Sequence, residues 1–243
     1  MGEAFGRGRD DLVQMIVTAQ ADPDWVPGRR AGHLGHAGYL MLDEIVARAG
    51  GMTFAEFQQR QVIEPLGLAS RSGGTGLDVI DVPWFGSAEL ADRVGRFDVA
   101  KGYPSACVAG PFGQAATVCE LLRQGGRWAG RRLLAPETCR VLLADHRPAE
   151  MVDQSAGRPR RWGLGVALAA ENFRPASGDA FGALGGMACM VFSGPRRQLT
   201  AAVHFNGNIG ALERLDRDRR VTEALYTDLD AFATESVSRA ATN

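Results

Sequence analysis

Lysine is almost missing from this chain. Lys101 is the only one, and the other 26 of the 27 basic residues are arginines. A guanidinium with a pKa above about 12 does not serve as a general base. Any mechanism that needs a lysine base must therefore use Lys101. Cysteine is sparse as well. Cys107, Cys119, Cys139 and Cys189 form no C-x-x-C pair and sit among apolar or small neighbours, so they read as buried free thiols. Of the four histidines, His33 and His36 stand three apart, with no third Cys, His or carboxylate at ligand spacing, so no metal site is expected. The net charge of −1 leaves no broad basic surface for nucleic acid. No apolar run reaches the roughly 18 residues of a membrane span. The stretch Met1-Gly2-Glu3-Ala4-Phe5 lacks a signal-peptide core, which makes the cytoplasm the expected location.

What is present is enough for a packed core: 243 residues, 45% of them hydrophobic. The expectation is one domain over residues 1–243, helical to about 160, with a sheet and a helix from about 161. Residues 10–20 read as a short helix with Leu12, Met15, Ile16 and Ala19 on one face. The next helix keeps Tyr39, Leu42, Ile45, Val46 and Ala49 at helical spacing and stops at Gly50-Gly51. Thr53 with Glu56 is a capping box for a third. Residues 69–110 read as a long irregular excursion. Helices are expected at 113–124 and after Pro136, then an arginine-rich loop over about 145–161. Three strands follow, at 163–169, 188–192 and 199–205, with a turn at Gly194-Pro195-Arg196-Arg197. An amphipathic helix at roughly 212–233 buries Leu215, Val221, Leu225, Leu229 and Phe232. Helices, then an antiparallel sheet, then a covering helix make an α+β pattern.

Several segments carry a resemblance in order. They are Pro27-Gly28, Gly38-Tyr39-Leu40-Met41-Leu42-Asp43-Glu44-Ile45-Val46, Glu64-Pro65-Leu66-Gly67-Leu68, Arg132-Leu133-Leu134-Ala135-Pro136-Glu137-Thr138, Trp162-Gly163-Leu164-Gly165, Phe181-Gly182-Ala183-Leu184-Gly185-Gly186 and Leu199 to Gly207. From about residue 10 to the end they resemble the serine β-lactamase-related superfamily of class C β-lactamases, DD-peptidases and family VIII esterases. The resemblance implies a partial β-lactamase/transpeptidase-like fold, a small ester, lactone or amide as substrate class, and no cofactor. It also implies a ligand cleft lined by Gly32, His33, Leu34, His36, Ser105, Ala183, Leu184 and Gly185.

The chemistry departs from the family at each station. The family's nucleophile stands in Ser-x-x-Lys, but three residues before Lys101 is Asp98, and the chain holds no such motif. The tyrosine of the family's Tyr-x-Asn falls on His33 when counted from Pro27, and on Leu34, with His36 in the Asn place, when counted from Gly38. The His or Lys of the sheet motif is Ala183. Three readings stay open. The first is a degenerate member that binds a ligand or partner without hydrolysis. The second is a repurposed enzyme using His33, His36, Ser105 or Cys107. The third is a fragment of a longer hydrolase. The plainer readings are a loop histidine, a structural serine and a packed thiol. The family's N-terminal strands and serine-bearing helix have no counterpart, so an uncovered sheet edge and a second copy or complementing chain are expected.

Overall fold

The computed structural model describes residues 9–20, 22–32, 35–72, 108–154, 156–185, 189–207 and 209–241. In chain order the elements are α1 (Arg9–Thr18), β1 (Arg30–Ala31), α2 (Gly35–Gly50), α3 (Phe54–Gln58), a π turn (Gln59–Ile63), α4 (Glu64–Leu66), β2 (Arg71–Ser72) and β3 (Val108–Ala109). Then come α5 (Ala115–Arg123), β4 (Arg127–Trp128), β5 (Arg131–Arg132), α6 (Pro136–Leu142), β6 (Val152–Asp153) and β7 (Arg158–Pro159). The remainder is β8 (Ala167–Leu168), β9 (Phe181–Gly185), β10 (Cys189–Gly194), β11 (Leu199–His204) and α7 (Ala211–Ala241). Among the described residues, contacts divide the chain into two compact units, one of residues 9–72, 108–117 and 148–160, the other of 118–147 and 161–241.

The first unit is built on α1 and α2. Arg9 holds them together: its Nε donates to Asp43 at 2.8 Å and its Nη2 to Glu44 at 2.6 Å. Leu40 and Asp43 are buried, whereas Tyr39, Leu42 and Ile45, which stand at helical spacing, are exposed. On α1 only Leu12 is buried; Met15 and Ala19 are exposed. The Thr53–Glu56 capping box forms as read, and Gly67 closes α4 in the left-handed conformation. The arginine-rich segment is not all loop. Its β6 pairs parallel with β1 and antiparallel with β7.

The second unit holds the sheet. Its order is β11-β10-β9-β8, all neighbours antiparallel. Four strands replace the three expected. β9 was not marked by its pattern, and the first expected strand shrinks to Ala167–Leu168 because Gly165 sits in a turn at φ 81°. Along β10, Met190 and Phe192 point to one side and Val191 and Ser193 to the other, as a two-residue period requires. Met190 and Phe192 join Phe173, Ala180 and Tyr226 in the core, with Phe173 stacked on Phe192 at 5.3 Å between centroids.

Helix α7 covers that side. Its buried residues are Asp218, Thr222 and Tyr226, spaced by four, with Leu215, Val221, Leu225 and Leu229 half-buried beside them. Phe232, expected inside, is 71% exposed, because α7 runs to Ala241 and past the sheet. Asp218 is a buried carboxylate with several partners. Asn172 Nδ2 donates to it at 2.8 Å, and Arg214 and Arg217 lie at 3.4 and 3.2 Å. On the sheet's other side, Thr200 donates to Glu120 of α5 at 2.6 Å, with Ser193 at 2.5 Å from Thr200.

Candidate functional site

The sheet motif of the sequence lies on β9. This strand runs so close to β10 that a Cβ on Gly182 would stand 2.1 Å from the Val191 carbonyl oxygen and 2.7 Å from Phe192 Cα. A Cβ on Gly185 would meet Cys189 Sγ at 2.8 Å. Backbone approach thus requires glycine at Gly182, whereas at Gly185 only the Cys189 side chain would have to move. Between them Ala183 is exposed and pairs with Val191, while Leu184 and Gly185 are half-buried. By strand alternation Ala183 shares its side of the sheet with Val191 and Ser193, the side away from α7. A methyl group there neither donates, accepts nor carries charge.

Gly32 and His36 belong to the first unit. Gly32 follows β1 directly, and a Cβ on it would stand 3.0 Å from Gln154 Oε1, beside β6. His36 is the second residue of α2. His33, Leu34, Ser105 and Cys107 lie outside the described residues, as do Lys101 and Gly186.

The described thiols are poor nucleophiles. Burial pushes Cys119 up to about 12 and raises Cys139. Burial also raises Cys189, with Arg214 pulling the other way, and its Sγ donates to Gly185 O at 3.2 Å. A thiol held protonated is a packed side chain. One juxtaposition was not drawn from the sequence: Cys189 and His204 are direct partners across β10 and β11. Extending the strand pairing back from the 194–199 turn reaches it. Among the described residues no group of three His, Cys, Asp or Glu could hold a metal ion. No helix among them is long and apolar enough to cross a membrane.

The family model described as Beta-lactamase matches residues 3–226. The chain belongs to the β-lactamase family. Solved structures agree on the fold of this β-lactamase-family chain. A penicillin-binding protein homologue from Caulobacter crescentus superposes with a TM-score of 0.65 at 23% identity, covering 90% of this chain and 64% of its own. EstA from Arthrobacter nitroguajacolicus Rue61a gives 0.65 at 18% identity, over 93% of this chain and 67% of that one. A β-lactamase from Mycobacterium bovis gives 0.61 at 18% identity, over 92% and 75%. The chain thus spans less than two thirds of the Caulobacter protein. No curated protein matches it. At these identities the likeness is one of fold, and the family's chemistry has to be sought in the side chains.

Proposed function

We propose that this chain keeps the fold of the family's serine hydrolases and acyltransferases without their hydrolytic step, and acts as a binding protein for a small ligand or a protein partner. Ala183 carries the proposal. It stands where the resemblance puts a histidine or lysine on the sheet, and it is exposed on β9 with no polar atom in its side chain. The residue at the place of the family's tyrosine points the same way, since it is His33 by one count and Leu34, with His36 at the asparagine place, by the other, and neither restores a Tyr-x-Asn pair. Acyl transfer needs an activated nucleophile and a base within hydrogen-bond reach. The described cysteines are held as thiols, which supports the same reading.

The test is covalent labelling. The purified chain is treated with a fluorophosphonate and, separately, with a β-lactam, and its intact mass is measured. The expected result is an unchanged mass with both probes. An adduct on any serine or cysteine would overturn the proposal. An adduct mapped to Ser105 or Cys107 would establish instead an enzyme with a relocated nucleophile.

A further inference from the structure

The loop joining β8 to β9 and helix α7 line a half-open pocket of about 480 Å³, inside the roughly 300–1,000 Å³ range of small-molecule sites. Its floor is apolar and cut short. Phe173 and Ala180 form the base, fully buried, with Ala169, Ala170 and Ala176 around them, so methyl groups leave space where longer side chains would fill it. Its mouth is charged, with Arg174 on the loop and Arg219 and Glu223 on α7.

The walls are set in place by the protein itself. Phe173 N–H donates to Ala170 O at 3.0 Å, Ala176 N–H to Phe173 O at 2.9 Å, and Ala169 N–H to Ala180 O at 2.7 Å. Asn172 fastens the loop to Asp218, and Thr222 Oγ1 donates to Asn172 O at 3.1 Å, all in buried positions. The rim is not self-neutralised. Arg219 and Glu223 approach only to 3.9 Å, and among the described residues no carboxylate pairs with Arg174. Arg174 and Arg219 thus face one lining carboxylate, Glu223, with Asp179 hydrogen-bonded to Ser177 of the lining, above a floor of alanine methyls and the Phe173 ring.

We propose that this cavity binds a small apolar carboxylate, its hydrocarbon part on the alanine floor and its carboxylate between Arg174 and Arg219. The planar fork of a guanidinium matches two carboxylate oxygens. The alanine methyls and the Phe173 ring favour an anion with an apolar body over a fully hydrated one. This site is distinct from the β9 motif. Phe173 and Ala180 belong to the core under α7, whereas Ala183 projects from the opposite side of the same sheet.

Benzoate is the probe. It is titrated into the whole chain while the alanine methyl resonances are followed by NMR. Saturable shifts of Ala169, Ala170, Ala176 and Ala180 are expected. Benzyl alcohol and inorganic phosphate should each bind more weakly, one lacking the charge and the other the apolar body. The double variant R174A/R219A changes exposed side chains and should weaken benzoate about tenfold or more. A second variant, Ala176→Phe, should block the cavity and abolish the shifts while the far-UV circular dichroism stays as in the parent. The proposal is overturned if no saturable shift reaches these methyls, if benzyl alcohol binds as well as benzoate, or if R174A/R219A binds benzoate like the parent chain.

Discussion

Helices α2 and α7 carry similar apolar patterns and use them differently. On α7 the half-buried Leu215, Val221, Leu225 and Leu229 flank a buried row of Asp218, Thr222 and Tyr226. On α2 the apolar Tyr39, Leu42 and Ile45 face out, and the buried pair is Leu40 and Asp43. Each helix has a buried aspartate tied to arginine, Asp218 to Arg214 and Arg217, and Asp43 to Arg9. The difference is the surface each helix meets. Helix α7 lies on a four-stranded sheet whose inner side is lined by Met190 and Phe192, so apolar residues on both sides of its polar row find cover. Within its own unit α2 meets α3, which contributes no buried side chain, and α1, which contributes one, Leu12. Periodicity makes a helix amphipathic, but the buried side is chosen by what packs against it.

The sharpest break in this comparison comes at Phe192. It is fully buried, stacked on Phe173, and its ring lies 6.5 Å from that of Tyr226. Phe192→Ala should cost about 3–5 kcal/mol, the usual range for emptying an aromatic site in a close-packed core. Denaturant unfolding of the variant measures it. A loss below about 1 kcal/mol would mean that the second unit is as loosely packed as the α2 surface.

A middle-sized effect is expected at Glu120, on the opposite side of the sheet. Arg123 holds its carboxyl down to about 2, with Gln124 and Thr200 adding hydrogen bonds and burial opposing them. The folded value lies below the ordinary 4.5, so the stabilisation is complete above that pH and fades as pH falls toward about 2. Glu120→Gln should lower stability at neutral pH by about 1–2 kcal/mol, since a charge-assisted contact becomes a neutral one. The variant should also lose less stability than the parent between those two pH values. Unfolding curves at several acid pH values check both. Parallel pH profiles for variant and parent would remove Glu120 from the acid response.

How much of this was legible beforehand depended on whether one local signal decided the matter. Thr53 with Glu56 makes both of its hydrogen bonds within four residues, so the cap was readable. Strands β10 and β11 have enough Val, Phe, Thr and Leu to declare themselves, and both were placed to within two residues. Strand β9 does not declare itself, because Gly182 and Gly185 depress strand propensity, while the close approach of the β10 backbone demands glycine at Gly182. β6 and β7 are two residues each, too short for any alternation to show. Of the site, Ala183 is legible through the motif around it and its side of the sheet through strand alternation, but its exposure is not, since Phe181, Val191 and Ser193 share that side and are buried. The cavity beside Arg174 was not, since its floor comes from alanines in an irregular loop and its mouth partly from α7, brought together only by the tertiary fold.

The smallest effect is expected on the exposed apolar side of α2. Leu42 and Ile45 are 52% and 57% exposed, and solvent already wets most of each side chain. Replacing either with lysine removes little buried apolar area, so the change in unfolding free energy should stay within about 0.5 kcal/mol. Lysine also suits a helix interior nearly as well as leucine, and better than the β-branched isoleucine. Sedimentation of the parent and of Leu42→Lys at matched concentration turns the same substitution into a test of association. Equal sedimentation with unchanged stability means that this side of α2 faces water in solution. A parent that sediments as a larger species, reduced by Leu42→Lys, means that a second copy covers Tyr39, Leu42 and Ile45. In that case the contrast with α7 is one of timing: α7 finds its apolar floor within the chain, and α2 acquires one on assembly.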